Sequence, residues 1–363
     1  MIPLHGVNMR KKIAVIGGGP SCEHEISMQS AKNVFNVISD DKLFIGITKQ
    51  GIWYYLNLFE LEKMFDKGQL FSLDDHPQLL QSRCSFDTLK DTIDIAFPVL
   101  HGYLGEDGSV QGLFKCLDIP FVGPGLLEAA LTMDKELMKR VAMQAGVKVA
   151  PFWTVHSYER IDIESVENEL GFPVFIKPSN SGSSLGITKV KSKQDLQEAL
   201  EEAFRFDQKV LIEKAIICRE IECSVLGNES ILVSSPGEVI CHHEFYSYEA
   251  KYLDENGASL SIPAKLPNNK IEEVKILAKQ AYKAACCQGM ARVDFFLDPD
   301  GIFYLNEINA IPGFTKISLY PKLWEYEGLN QTILVKKLIN LGLQRYEQGK
   351  KLIRNYEKDN LLI

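Results

Sequence analysis

Three things are scarce in this chain, and each shortage removes a class of function. No apolar run approaches the roughly 20 residues that a spanning helix requires. The opening MIPLHGVNMRKKIAVIGGG does place an apolar run after Arg10-Lys11-Lys12, but the run is short and ends in glycines, unlike the core of a secretion signal. Positive charge is also in deficit: 40 Lys and Arg stand against 48 Asp and Glu, for a net charge of −8. The broad basic surface on which nucleic acids dock is therefore not expected, and neither is a membrane partner. Closely spaced cysteine pairs are the third absence. The eight cysteines are scattered without a C-x-x-C, and Cys286 and Cys287 are adjacent, so we expect buried, reduced thiols rather than disulfides, and no cysteine nucleophile.

Two nucleotide fingerprints are missing as well. Gly17-Gly18-Gly19 follows a strand-like run, yet GGGPSCEHE lacks the G-x-G-x-x-G spacing of a dinucleotide site. What it leaves is a turn leading to Glu23, His24 and Glu25, where acidic groups near a helix start also serve as ordinary capping residues. In the second glycine-bearing loop the lysine precedes the glycines, so Walker A mechanics do not apply.

With 45% hydrophobic and 24% charged residues over 363 positions, the chain has globular composition and enough length for two or three packed units. Strand-like runs at Lys12–Ile16, Leu43–Ile47 and Ile93–Leu100 flank a helical pattern from about Ser27, which predicts a parallel sheet in an α/β layer. Trp53 to Lys90 reads as irregular connecting material. A helical pattern from Met133 to Ala145, ended by Gly146, marks the passage to a small α+β unit. That unit has strands at Val174–Lys177 and Lys209–Glu213 and a helix near Gln194–Phe206. Strands at Ile221–Leu226 and Val239–Phe245, a helix from Ile271 to Cys287 and a final hairpin complete the reading. The expected division is 1–133, 134–216 and 217–363.

The hairpin carries chemistry. Ala291–Leu297 and Ile302–Asn309 meet across Asp298-Pro299-Asp300-Gly301, a strong turn signal. Because strand side chains alternate, Arg292 and Asp294 share one face, and Glu307 and Asn309 share a face of the partner strand. Hard oxygen donors without nearby His or Cys suit magnesium held together with phosphates. A solvent-facing polar side of an edge hairpin is the bland alternative, weakened by an arginine beside three donors of metal-binding type. Upstream, Lys177-Pro178-Ser179-Asn180-Ser181-Gly182-Ser183-Ser184 joins a strand to small hydroxyl-bearing residues able to cover phosphate oxygens, although a flexible surface loop would read alike.

Taken together, HGYLGEDGSVQG, FIKPSNSGSSLG, EAKY, ARVDFFLD and LNEINAIPGFTKISLYP occur in an order that closely resembles the D-alanine:D-alanine ligases over nearly the whole chain. The resemblance implies an N-terminal α/β domain followed by a two-subdomain ATP-grasp fold holding ATP, in a cytoplasmic homodimer. By motif position it implies that Lys135 and Lys177 bind phosphates beside Ser183, Ser184 and Asn306. Glu213, Lys214 and Ile216 would line the adenine pocket, and Glu220 would hold the ribose. Asp294, Glu307 and Asn309 would carry two Mg2+, for which Mn2+ would substitute. For the reacting groups it implies Glu25 on the first amino group, His101 near the first substrate and Lys251 on the transferring phosphate. Arg292 would face the oxyanion, and Ser318 and Leu319 the second carboxylate. Tyr252, linked with Ser183 and Glu25, would accompany dipeptide formation. His242 and His243 have no partner at metal-ligand spacing and are expected to be structural. Asn180-Ser181 departs from relatives that often carry a charge there. Three rivals remain: a carboxylate-amine ligase with another acceptor, a nucleotide-binding regulatory protein without turnover, and an NAD-dependent oxidoreductase, which the missing glycine fingerprint disfavours.

Overall fold

The computed structural model describes residues 11–66, 70–241 and 257–353, and the chain is built on three sheets. The first sheet contains β1 (Lys12–Gly18), β2 (Asp41–Ile47), β3 (Trp53–Leu56), β4 (Leu80–Arg83) and β5 (Ile95–Pro98), in the order β4-β3-β2-β1-β5. Burial of β1 is unbroken from Ile13 to Gly18, as a strand covered on both faces requires. It pairs in parallel with β2 and β5, and the crossover to β2 is made by α1 (His24–Val37).

Two expectations are corrected in this sheet. Trp53 to Lys90 is not irregular: it supplies β3 and β4, paired antiparallel at one edge, together with α2 (Leu58–Asp66) and α3 (Phe86–Thr92). The sheet is therefore mixed rather than wholly parallel. The strand WYYL escaped notice because both of its faces are apolar. Tyr54 packs on one core and Trp53 and Tyr55 on the other, so no polar alternation marks it.

The second sheet comprises β6 (Phe152–His156), β7 (Val174–Pro178), β8 (Thr188–Val190) and β9 (Lys209–Lys214), ordered β6-β9-β7-β8 and antiparallel throughout. Its core is closed by α7 (Ile163–Leu170) and α8 (Leu196–Ala203). In the third sheet β10 (Arg219–Gly227), β12 (Gly237–Cys241), β13 (Ala258–Ser261), β14 (Gly289–Leu297) and β15 (Phe303–Asn309) run in the order β13-β12-β10-β14-β15. The short β11 (Leu232–Val233) pairs with β10, and α9 (Asn268–Ala284) packs on the sheet. The strand expected over Val239–Phe245 ends at Cys241 within the described residues. His242, His243, Lys251 and Tyr252 lie outside them.

Helices α4 (Ser109–Cys116), α5 (Leu126–Met133) and α6 (Lys135–Gln144) connect the first and second sheets. The last of these starts at Lys135 because the Asp134 carboxylate accepts the amide of Leu137, which makes it an N-cap. Its Met138 and Ala142 enter the core of the third sheet. Two further helices, α10 (Leu319–Tyr326) and α11 (Gln331–Lys350), return to the first sheet: Leu334, Val335 and Leu338 share a core with Ile13, Val15 and Phe97. Arg345 of α11 donates to the carbonyl oxygens of Phe121 and Gly123 and lies 4.3 Å above the Phe121 ring. Packing thus crosses both linear boundaries, 133/134 and 216/217. Among the described residues no helix is long and apolar enough to cross a membrane. All eight cysteines are free, but only Cys223 and Cys287 are buried, while Cys22, Cys116 and Cys286 are exposed, which corrects the expectation of general burial.

Candidate active site

One cleft lies where the three sheets meet, and the hairpin of β14 and β15 forms its floor. Cross-strand register places Arg292 opposite Asn309 and Asp294 opposite Glu307. On the other side of β14, β10 sets Glu222 opposite Asp294, so Glu222, Asp294 and Glu307 stand in one row across three strands. The Arg292 guanidinium forks onto Asp294 at 2.9 and 2.7 Å and reaches Glu222 at 2.7 Å. Burial works against this charge, but Asp294 and Glu222 outweigh it and hold the guanidinium firmly protonated. Asn309 Nδ2 donates to Asp294 at 2.8 Å and to Glu307 at 3.4 Å. A register shift after Asp294 pairs Phe295 with Leu305, a bulge that leaves Asn306 out of the pairing and in the cleft wall.

The opposite wall comes from the turn after β1 and the serine loop after β7. Ser183 Oγ donates to the Glu23 carboxylate, which also sits against Gly102 and Gly182, where a Cβ would stand 2.9 Å from Oε2 in each case. Ser183 and Ser184 have φ of 50° and 60°, left-handed values that cost a residue with a side chain and persist at sites where surroundings enforce them. The loop is anchored at several points. Ser179 Oγ donates to Asp134 at 2.9 Å, the Asn180 amide and side chain donate to Asp207 at 2.7 and 2.9 Å, and Lys135 Nζ donates to the Ser181 carbonyl.

Glu25 is not part of this wall. Its carboxylate pairs with Lys49 at 2.6 Å on the outer side of the helix, which corrects the sequence expectation. Helix α1 begins at His24 rather than near Ser27, so Glu23 is its N-cap. Residues two apart on a helix point about 200° apart, and only the first glutamate of the pair faces the cleft. The adenine set divides as well. Glu213 turns inward and pairs with Lys139 and Lys177, whereas Lys214 and Ile216 line a separate groove with Val149, Pro151 and Tyr304. Strand alternation accounts for the split, with Glu213 buried and Lys214 exposed. Lys135, Lys177, Ser184, Glu220, Asn306, Ser318 and Leu319 all line the main cleft. Ser318 is the N-cap residue of α10 and its Oγ meets the Thr315 amide at 3.0 Å.

Residues 12–124 match the family model described as D-ala D-ala ligase N-terminus, and residues 141–340 match D-ala D-ala ligase C-terminus. The D-alanine–D-alanine ligase of Oceanobacillus iheyensis is 44% identical over 361 residues, covering 95% of this chain and 98% of the relative. That of Shouchella clausii is 45% identical, covering 94% and 97%. The chain belongs to the D-alanine–D-alanine ligase family. Among solved structures, the Coxiella burnetii D-alanine-D-alanine ligase is similar at TM-score 0.82 and 34% identity, covering 97% of this chain and 99% of that one. The VanG D-Ala:D-Ser ligase of Enterococcus faecalis is similar at TM-score 0.82 and 37% identity, covering 92% and 99%.

Within this ligase-family cleft, the donor chemistry of Asp294, Glu307 and Asn309 fits a hard divalent cation, since all three supply oxygen. Among the described residues no group of three or more His, Cys, Asp or Glu could by itself hold a metal ion. Magnesium suits such a partial set, because it keeps waters and phosphate oxygens in its shell.

Two further groups complete the cleft. His101 is buried with Nε2 3.2 Å from Ser30 Oγ, and desolvation lowers its pKa against the pull of Glu23, which favours the neutral ring. Glu106, unassigned in the sequence reading although it stands in HGYLGEDG, accepts the Gly102 amide at 2.8 Å. Desolvation first, and then the Glu23 charge, push its pKa up to about 8. A carboxyl raised this far in the folded state keeps its proton at neutral pH. The unfolded chain releases that proton near 4.5, so the group withdraws stability as pH rises from there towards 8. Melting curves should therefore find Glu106→Gln more stable than the unaltered protein at pH 8.5 and equal to it below pH ~4. A pH-independent difference would contradict the assigned shift.

Proposed function

We propose that this chain joins two D-alanine molecules into D-alanyl-D-alanine for peptidoglycan precursor synthesis, using ATP to activate the first carboxylate. The observation that carries the reading is the single cleft in which the acidic row with Arg292, the Lys177 ammonium and the Ser183–Glu23 pair face one another. Glu23, in place of Glu25, holds the first amino group. Lys135, Lys177 and Asn306 meet the phosphates under Ser183 and Ser184, and Glu220 meets the ribose. Asp294, Glu307 and Asn309 would hold two Mg2+, which would supply charge neutralisation at the transferring phosphoryl group; Mn2+ would suit the same donors. Lys251 and Tyr252 keep the roles that the resemblance implies, and the assembly is a cytoplasmic homodimer on the same ground.

A carboxylate is a poor acyl donor at neutral pH. In this reading one oxygen of the first D-alanine carboxylate attacks the γ-phosphorus, the bond to ADP breaks, and an acyl phosphate forms. The amine of the second D-alanine then attacks the carbonyl, loses a proton and expels phosphate. Arg292 faces the oxyanion of that step, and the amides at the start of α10, beside Ser318 and Leu319, receive the second carboxylate. His101, neutral in its buried site, orients the first substrate.

Incubation with ATP, magnesium and D-alanine should give phosphate and dipeptide in equal amounts. Glu307→Gln should lower both by about a hundredfold or more. Nucleotide binding without either product would overturn the reading. Likeness to the VanG D-Ala:D-Ser ligase favours one second reading, D-serine as acceptor. Competition among D-alanine, D-serine and D-lactate decides between them.

A further inference from the structure

Lys139 is the least exposed lysine of the site and has no role in the chemistry above. It lies one helical turn after Lys135 on α6, with only 1% of its side chain exposed. Its Nζ stands 2.7 Å from Glu213 Oε2 and 3.3 to 3.4 Å from the carbonyl oxygens of Asn306 and Leu305. Lys177 takes the other oxygen of the same carboxylate, 2.6 Å from Oε1, and also meets Asn306 Oδ1 at 3.3 Å. One buried carboxylate therefore holds two ammonium groups. Only one of the two, Lys177, lines the cleft.

The asymmetry has a consequence for any anion that enters. An ammonium held at 2.6 Å by a buried carboxylate is withheld from other partners. When it leaves, that carboxylate must keep a counter-charge or be stranded in a medium of low polarity. Lys139 stands on the far side of Glu213 and is tied to β15 through backbone oxygens, so it stays when Lys177 moves. We infer that Lys139 is a positioning residue for the nucleotide: it neutralises Glu213 so that Lys177 can be released from the ion pair to the phosphates of ATP. The triad carries one net positive charge, which is the sign that a polyphosphate requires. Burial lowers the Lys139 pKa in spite of Glu213, and although burial also works against the Glu213 charge, the two lysines outweigh it and bring the Glu213 pKa down to about 2, in keeping with a carboxylate that stays charged.

The inference rests on ATP being the ligand of this cleft, so direct ATP binding to the unaltered protein is measured first, by calorimetry with magnesium. No binding there would sink the functional reading itself and this inference with it. Given binding, Lys139→Met should weaken ATP about tenfold or more, since Lys177 is then the sole counter-charge of Glu213. The KM for D-alanine should change by less than about twofold, because among the described residues the polar contacts of Lys139 are to Glu213 and to the backbone of Leu305 and Asn306, away from the Ser183–Glu23 wall. The double variant Lys139→Met with Glu213→Gln removes the stranded charge and should recover most of the lost affinity. A purely structural lysine would instead leave the double variant no better than the single one, and that result overturns the inference. So does unchanged ATP affinity in Lys139→Met. If methionine prevents folding, Lys139→Gln, which retains a donor without charge, is read by the same two criteria.

Discussion

Arg292→Met is expected to lower the rate of dipeptide synthesis by about a thousandfold and to cost about 3–5 kcal/mol of stability. Both effects have one origin. The guanidinium is 20% exposed and touches two carboxylates that are themselves only 8% and 10% exposed, so its removal leaves Glu222 and Asp294 facing each other across β10 and β14 without it. Stranded carboxylates recover by taking up protons. The stability deficit should therefore shrink as pH falls, while the rate stays low because no fixed positive charge faces the oxyanion. Arg292→Lys separates the two contributions. It retains a charge but cannot fork onto Asp294, so it should regain more stability than rate. Urea denaturation and phosphate release on the three proteins make the comparison, and a rate preserved in Arg292→Met would remove the arginine from the reaction.

The second large effect separates two glutamates only two residues apart. Glu23→Gln should lower kcat/KM for D-alanine by about a hundredfold, because it removes the carboxylate that accepts the Ser183 hydroxyl and that, in the proposed function, holds the first ammonium group. Glu25→Gln should stay within about threefold, since it breaks an ion pair with a Lys49 side chain that is 45% exposed, and such pairs contribute little. Steady-state kinetics with D-alanine varied at saturating ATP make the test. A reversal of the two results would restore the sequence assignment and show that α1 begins later in solution.

These expectations mark where sequence reading reached and where it stopped. The polar face of the hairpin was legible because strand alternation and the Asp298-Pro299-Asp300-Gly301 turn are local: each follows from residues a few positions apart, and Arg292, Asp294, Glu307 and Asn309 do meet on one face. The linked motifs likewise carry the likeness to the ligase family in the sequence itself. Missing from that reading were Glu106, Glu222 and Lys139, and Glu23 stood in it only as a capping residue beside Glu25. Glu222 sits in a strand, IECSVL, that reads as ordinary core, and only its pairing with β14 brings it beside Arg292. Glu106 was inside a quoted motif, yet its raised pKa depends on enclosure and on Glu23 from 83 positions earlier in the chain.

By itself the sequence determined the three sheets in outline, the donor chemistry of the cleft floor and the family. Tertiary structure alone decided which of two glutamates enters the cleft, which lysine backs another, and that the last long helix closes a core shared by the first sheet with β10 and β14 of the third. The reason is physical. Periodicity and turn chemistry are properties of neighbouring residues, whereas a buried charge and a shared core are set by segments distant in the chain, such as β15 beside Lys139 and α11 beside β1.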